Sequence, residues 1–329
     1  MRVAAALSIL LAASYAAADN KNAEAQQLLE QVKKNTQLFS ANAQPYHLNA
    51  ALMIYGLGPS PITGSADIEW TSPDRWRQEI HIGEFDTIEI HVGQDQYWRK
   101  RSVAYEPNPV RFIRSGLDFA APRFGFDESG SVTKKIKHDS WHGVAVACLA
   151  RERTHAPSTS ELCIDTAKGL PLRERFDNFE WLYSDYVSFN GKAIPRQLDL
   201  SKDGKPYVAI RLEKVESPVS IAETEFGAGP GFEARPWCDK AIPPKPTKQP
   251  DPAFPESARG TGAEATVTLN GEVGLDGLFH HPAITMTGGA DFDSAAIQAI
   301  DHWRFQPALC HGSPIPVEIS IEIRFRHRY

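Results

Sequence analysis

Near the C-terminal end the sequence reads Phe292-Asp293-Ser294-Ala295-Ala296-Ile297-Gln298-Ala299-Ile300-Asp301-His302-Trp303-Arg304-Phe305-Gln306-Pro307-Ala308. It turns at Gly312-Ser313-Pro314 and closes on Val317-Glu318-Ile319-Ser320-Ile321-Glu322-Ile323-Arg324-Phe325. In the first part Phe292, Ala296, Ile297, Ile300 and Trp303 recur at three- and four-residue spacing. This predicts a helix with one apolar face and with Asp293 in its first turn, where an acid is favourable. In the second part Val317, Ile319, Ile321, Ile323 and Phe325 alternate with Glu318, Ser320, Glu322 and Arg324, the period-two pattern of a strand buried on one face.

The whole chain has 329 residues, enough for two domains, since a single core rarely grows beyond ~250 residues. Hydrophobic residues make up 42% and charged residues 23%, the composition of a chain that buries a core. A formal charge of −6 with no long Lys/Arg block leaves no electrostatic footprint for nucleic acid, which is set aside. Met1 to Ala18 has the form of a secretory leader: Arg2, an apolar core, then Ala16-Ala17-Ala18 before Asp19. The expectation is an exported, periplasmic protein with no transmembrane span once the leader is removed, the alternative being a leader retained as an anchor.

Export makes the four cysteines candidates for two disulfides, for which three pairings exist. Cys148 and Cys163 flank a polar loop between two strand-like runs and are paired on that ground, leaving Cys238 with Cys310. The alternative is free buried thiols.

Upstream, 23–40 has a helical apolar face at Leu28, Leu29, Val32, Leu38 and Phe39. About ten strand-like runs follow between residues 46 and 214, interrupted by a helix-containing insertion at 107–121. Ile88, Ile90 and Val92 alternating with Thr87, Glu89 and His91 form the clearest strand. A helix followed by a long meander predicts a curved antiparallel sheet wrapped over helices. Gly227-Ala228-Gly229-Pro230-Gly231 and Pro243-Pro244-Lys245-Pro246 predict a stiff extended spacer. The expected organisation is therefore a leader at 1–18, a β domain at 19–218, a linker at 219–248 and a small domain at 249–329.

Two resemblances sharpen this. Phe254-Pro255-Glu256-Ser257-Ala258-Arg259, the Leu275-Asp276-Gly277 hairpin, Phe292-Asp293 through Ala308, Gly312 and the terminal strand together resemble the TonB C-terminal domain family. Ser72-Pro73-Asp74-Arg75-Trp76-Arg77, Leu162-Cys163-Ile164-Asp165, Gly169-Leu170-Pro171-Leu172 and Phe189-Asn190-Gly191-Lys192 are similar to periplasmic lipoprotein carriers of the LolA/LolB type. The first resemblance implies a small αβ protein-binding module, of the kind found in energy transducers for outer-membrane transport. A partner segment would add alongside Val317, Glu318, Ile319, Ser320, Ile321, Glu322 and Ile323. The second implies a half-barrel around an apolar cavity for acyl chains. The fold class expected is thus α+β: a curved half-barrel over helices plus a small TonB-like domain.

No catalytic signature emerges: there is no Gly-x-Ser-x-Gly, His-Glu-x-x-His or Walker loop. His280 and His281 point to opposite faces of a strand, and His138 and His142 sit about a turn, so no metal and no cofactor are expected. Trp70, Trp76 and Trp98 are core residues on the ordinary reading and walls of an apolar-ligand pocket on the functional one. The expected function is non-enzymatic docking of an envelope protein, with the larger domain holding an acyl chain or lipoprotein. The alternative is a lipid or lipoprotein carrier in which the C-terminal module is structural.

Overall fold

The computed structural model describes residues 23–326 except 41, 57–59, 100–105, 120–130, 154–158, 219, 237 and 239–240. The expected leader, 1–18, lies outside the described residues. Helix α1 occupies 23–36. Five strands follow: β1 (Tyr46–Ile54), β2 (Ile62–Ser72), β3 (Arg75–Ile82), β4 (Phe85–Val92) and β5 (Asp95–Arg99). After helix α2 (Asn108–Gly116) come seven more: β6 (Ser131–Trp141), β7 (Val144–Arg153), β8 (Thr159–Asp165), β9 (Leu170–Phe176), β10 (Phe179–Phe189), β11 (Lys192–Lys202) and β12 (Lys205–Glu216).

The sheet order is β13-β5-β4-β3-β2-β1-β12-β11-β10-β9-β8-β7-β6, where β13 is Phe232–Pro236. The chain thus starts in the middle of the sheet and runs outward from β1 to β5. It then crosses to the opposite edge at β6 and walks back until β12 closes against β1. The sheet is open, with β13 and β6 as its edges.

Turn chemistry makes the meander local. Asn190-Gly191 and Asp203-Gly204 hold both residues at positive φ, the two-residue turn whose twist matches antiparallel strands. Strict alternation supplies the core: β1 buries Tyr46, Leu48, Ala50, Leu52 and Ile54 and half-exposes the residues between. These pack with Ile68, Trp70, Trp76, Ile80, Trp181, Leu198 and Ile210 against Val110, Ile113 and Leu117 of the α2 segment.

Helix α2 begins where the insertion was expected, with Pro109 in its first turn, a position with no hydrogen bond to lose. Its last residue explains the close packing: a Cβ on Gly116 would meet Ile210 Cδ1 at 2.6 Å and Trp181 at 3.0 Å. Only a residue without one lets the helix sit on the sheet at this distance. Helix α1 packs elsewhere, with Ala25, Leu28, Leu29 and Val32 against Leu149 and Ile164.

The segment 219–248, expected to be a stiff extended spacer, instead makes a 3-10 turn at Glu223–Phe226, whose Phe226 packs on Ile88 and Ile90, and then short extended stretches that pair with strands elsewhere. Strand β13 pairs with β5, β14 (Ala241–Ile242) pairs with β19 (Ala308–Cys310), and β15 (Lys245–Lys248) pairs with β18 (Arg304–Gln306). Composition reports extension; it does not report where an extended backbone finds its hydrogen bonds.

The C-terminal module has a three-stranded sheet in the order β17-β16-β21, with β16 at Ala265–Val273, β17 at Phe279–Met286 and β21 at Val317–Phe325. Helix α3 (Ala290–Ile300) covers one face, so that Ala296, Ile300 and Trp303 join Val267, Leu269, Ile321, Ile323 and Phe325 in one core. The Asp293 carboxylate accepts the Gly288 N–H at 2.8 Å and the Thr287 hydroxyl at 2.6 Å, fastening the entrance of α3. Both disulfides have the connectivity expected. Cys148 and Cys163 stand directly opposite on β7 and β8, and Cys238 joins Cys310 across 72 residues.

Candidate functional site: the edge strand and the cavity beside it

Strand β21 pairs with β16 from Val273↔Val317 to Ala265↔Phe325 without a register break. No other strand among the described residues pairs with it, so it is the edge of its sheet. Val317, Ile321, Ile323 and Phe325 are buried, Ile319 is half-buried, and Ser320, Glu322 and Arg324 are exposed. Glu322 and Arg324 pair with each other along the strand, the kind of charge that discourages indiscriminate edge pairing.

The polar face of this sheet is turned toward the larger sheet. Asn270 faces Ser320 across the ladder, Thr268 faces Glu322 and Thr266 faces Arg324. At one end a clasp holds the two units together. The Glu318 carboxylate accepts from the Glu106 backbone N–H at 3.0 Å and from Arg111 at 3.4 Å. Asn270 Nδ2 donates to the Glu106 carbonyl at 2.9 Å, and the Ser320 hydroxyl donates to Asn108 at 3.4 Å.

The receiving segment is itself anchored. Arg114, 7% exposed, is ion-paired with Glu89 and Glu106 and donates to Gln78 at 3.0 Å. Burial works against its charge, yet the two carboxylates outweigh that and hold the guanidinium above its ordinary pKa. Residues 106–114 therefore connect the buried Arg114–Glu89–Glu106 ion group to the polar face of the module's sheet.

Beside the clasp lies an open cavity of about 1860 Å³. That exceeds the ~300–1,000 Å³ typical of a site for a drug-sized molecule. Its floor is aromatic: Phe112 of α2 lies 4.5 Å from Phe179 and 6.0 Å from Phe176 between ring centroids, and Tyr207 closes the group at 5.9 Å from Phe112. Its far wall is the polar face of the module, including Thr266, Thr268, Ser320 and Arg324. Tyr183 also lines it. Burial, reinforced by the Glu174 carboxylate at 3.1 Å, raises its phenol well above the ordinary range, so it stays protonated and donates.

The three tryptophans singled out from the sequence are elsewhere. Trp70 and Trp76 are fully buried, the first stacked on Tyr46 at 5.3 Å and the second on His91 at 5.6 Å. Trp98 is half-buried, with the Arg114 guanidinium 5.6 Å over its ring. None of the three lines the cavity. The aromatic residues that do include Phe112, Phe176 and Tyr207, together with Phe179, Trp181 and Tyr183, which alternate along β10. Phe176 and Phe179 flank a hairpin turn, and Phe112 arrives from a helix more than sixty residues away in sequence.

Among carboxylate, cysteine and histidine groupings, Cys238, Cys310 and His311 contain a disulfide and have no thiolate to offer a metal. His47, Asp67 and Glu69 lie on β1 and β2, where His47 Nε2 is hydrogen-bonded to Asp67 at 2.9 Å. Neither histidine nor cysteine is among the described residues that line the cavity.

An antiparallel edge strand over one helix, clasped to an open antiparallel sheet, defines an α+β protein of two units. Residues 250–327 match the family described as Gram-negative bacterial TonB protein C-terminal. Protein TonB of Vibrio cholerae serotype O1 is 33% identical over 81 residues, which are 24% of this chain and 32% of that protein. The chain thus spans about a third of the length of that relative. Among solved structures, a LolA superfamily protein of Nitrosomonas europaea is similar over 62% of this chain and 97% of its own, at 11% identity and a TM-score of 0.43. A putative outer membrane lipoprotein-sorting protein domain of Vibrio parahaemolyticus is similar over 64% and 97%, at 10% identity and a TM-score of 0.42.

Proposed function

We propose that this is a non-enzymatic periplasmic protein that docks an envelope partner by strand addition along Val317–Ile323, while the larger unit holds an apolar ligand in the cavity. An outer-membrane transporter is the class of partner that the TonB-like module suggests. The observation that carries this reading is the edge position of β21, whose backbone is paired on one side only by a described strand. An added strand gains main-chain hydrogen bonds along that side, and alternate side chains give selectivity.

The test uses proline at two neighbouring positions. Backbone N–H groups alternate in direction along an antiparallel strand, so of residues 320 and 321 one points toward β16 and the other away. A photo-crosslinker at exposed Glu322, in cells that express the chain, is expected to form an adduct with one envelope protein. Ser320→Pro and Ile321→Pro both remove the adduct, and the outward-pointing one does so with the module still folded, because proline is tolerated at an unpaired edge. An adduct that survives both substitutions refutes docking at this strand.

A second reading is favoured by the clasp. With Glu318, Asn270 and Ser320 engaged on residues 106–111, the module acts as a structural wall of a lipid or lipoprotein carrier. Under that reading Glu318→Ala weakens ligand retention and no strand-dependent adduct forms.

A further inference from the structure

The alternation that buries Tyr46, Leu48 and Ala50 of β1 turns His47 and Asn49 to the opposite face of the large sheet, away from α2. Strand β2 does the same with Asp67 and Glu69, which lie between buried Ala66, Ile68 and Trp70. The antiparallel ladder sets His47 directly opposite Glu69 and Asn49 directly opposite Asp67. One donor atom each from His47, Asp67 and Glu69 thereby falls within 4.8 Å of the others. The pairing of β1 with β2, rather than any spacing along the chain, brings them together, which is why no metal is expected from the sequence.

These donors are reachable and supported. The His47 side chain is 27% exposed and that of Asp67 36%, and an open cavity of about 370 Å³ has Asn49, Ser65, Asp67 and Lys214 in its lining. His47 Nε2 donates to Asp67 at 2.9 Å, while Nδ1 faces the Glu216 carboxylate at 3.9 Å, the arrangement in which a further carboxylate orients a ligating imidazole. Asn49 donates its amide to Asp67. The nearby permanent cations are already committed: Arg77 is shared by Glu79 and Glu225, and Lys214 is held by Glu216. Among the described residues no Lys or Arg forms an ion pair with Asp67 or Glu69, so two carboxylates share one imidazole.

We propose that His47, Asp67 and Glu69 hold one divalent transition-metal ion of the zinc class. Imidazole with two carboxylates is a donor set for such ions, whereas calcium and magnesium take oxygen donors. Donors ~2.0–2.2 Å from a tetrahedral zinc stand about 3.4 Å apart, so small side-chain rotations close the set on an ion and leave a fourth position for water. The ion replaces the proton between Nε2 and Asp67, and the ring keeps its proton on Nδ1, where Glu216 accepts it. The site uses neither the edge of β21 nor the large cavity, so it holds or fails independently of the function proposed above.

Zinc titrated into the full chain, followed by calorimetry, tests this. One ion per chain is expected to bind, and the urea midpoint should rise in its presence. Glu216→Gln leaves all three donors in place and should weaken binding about tenfold, as loss of the partner of a ligating imidazole does. His47→Ala and Glu69→Gln each remove a donor and weaken it further. His81→Ala, at a β3 histidine whose two ring nitrogens already face Glu79 and Asp86, leaves it unchanged. If the parent takes up no stoichiometric zinc, or if His47→Ala and Glu69→Gln bind it as the parent does, the assignment is overturned. Should one donor variant fail to fold, the other decides.

Discussion

Arg114→Met tests the anchor on which the edge strand and the cavity both depend. The side chain is 7% exposed, Glu89 beside it is 2% exposed, and Glu106 and Gln78 complete the group. Methionine fills much of the volume but leaves two carboxylates with no cation in a site water scarcely reaches. Removing one member of a buried ion group costs about 3–5 kcal/mol, whereas replacing the whole group by neutral residues is nearly harmless. Urea unfolding followed by tryptophan fluorescence should thus show the midpoint falling by about 1–2 M, taking a slope of ~2–3 kcal/mol/M. Glu89→Gln and Glu106→Gln added to Arg114→Met should recover most of that loss, a non-additivity expected of side chains in one network. Because Glu106 also binds Asn270 and Glu318 through its backbone, hydrogen exchange should quicken at 317–323 in the single variant. A loss under about 1 kcal/mol, or a triple variant no better than the single one, would refute the reasoning.

Three further outcomes follow from the same structure. Gly116→Val drives a branched side chain into Ile210 and Trp181 and should cost about 1–3 kcal/mol by overpacking, read as a lower melting temperature with the fold retained. Burial depresses the His91 pKa below its ordinary 6.5, so the folded state disfavours the proton that the unfolded chain accepts. Stability is therefore full above pH 6.5 and declines as pH falls through the depressed value, and His91→Gln should flatten that part of the pH profile. Replacing Cys238 and Cys310 together by serine opens a ring of 72 residues and should remove up to about 4 kcal/mol, seen as a lower urea midpoint of the C-terminal module.

Much of the architecture was legible in the letters. The alternation of Val317 to Phe325, the three- and four-residue spacing from Phe292 to Trp303 and the turn pairs Asn190-Gly191 and Asp203-Gly204 are local constraints. Each acts within one element, where period and backbone geometry leave few choices. Cys148 and Cys163 were pairable for the same reason, since a hairpin places its two arms opposite each other. The cavity was not legible. Tryptophan marks burial, and Trp70 and Trp76 spend themselves in the core. The cavity lining joins elements distant in sequence, such as Phe112 on α2, Phe179 and Trp181 on β10 and Thr268 on β16.

The sequence by itself determined which segments are helix and strand, which face of each is apolar, and that the last strand is amphipathic, because those properties are summed over neighbours in the chain. Only the tertiary structure decided that β21 is an edge, that Glu318 and Asn270 close on residues 106–111, and that a polar sheet face roofs an aromatic floor. These depend on which surfaces meet, and a meeting of surfaces distant in sequence is set by the packing of the whole chain rather than by any one of its stretches.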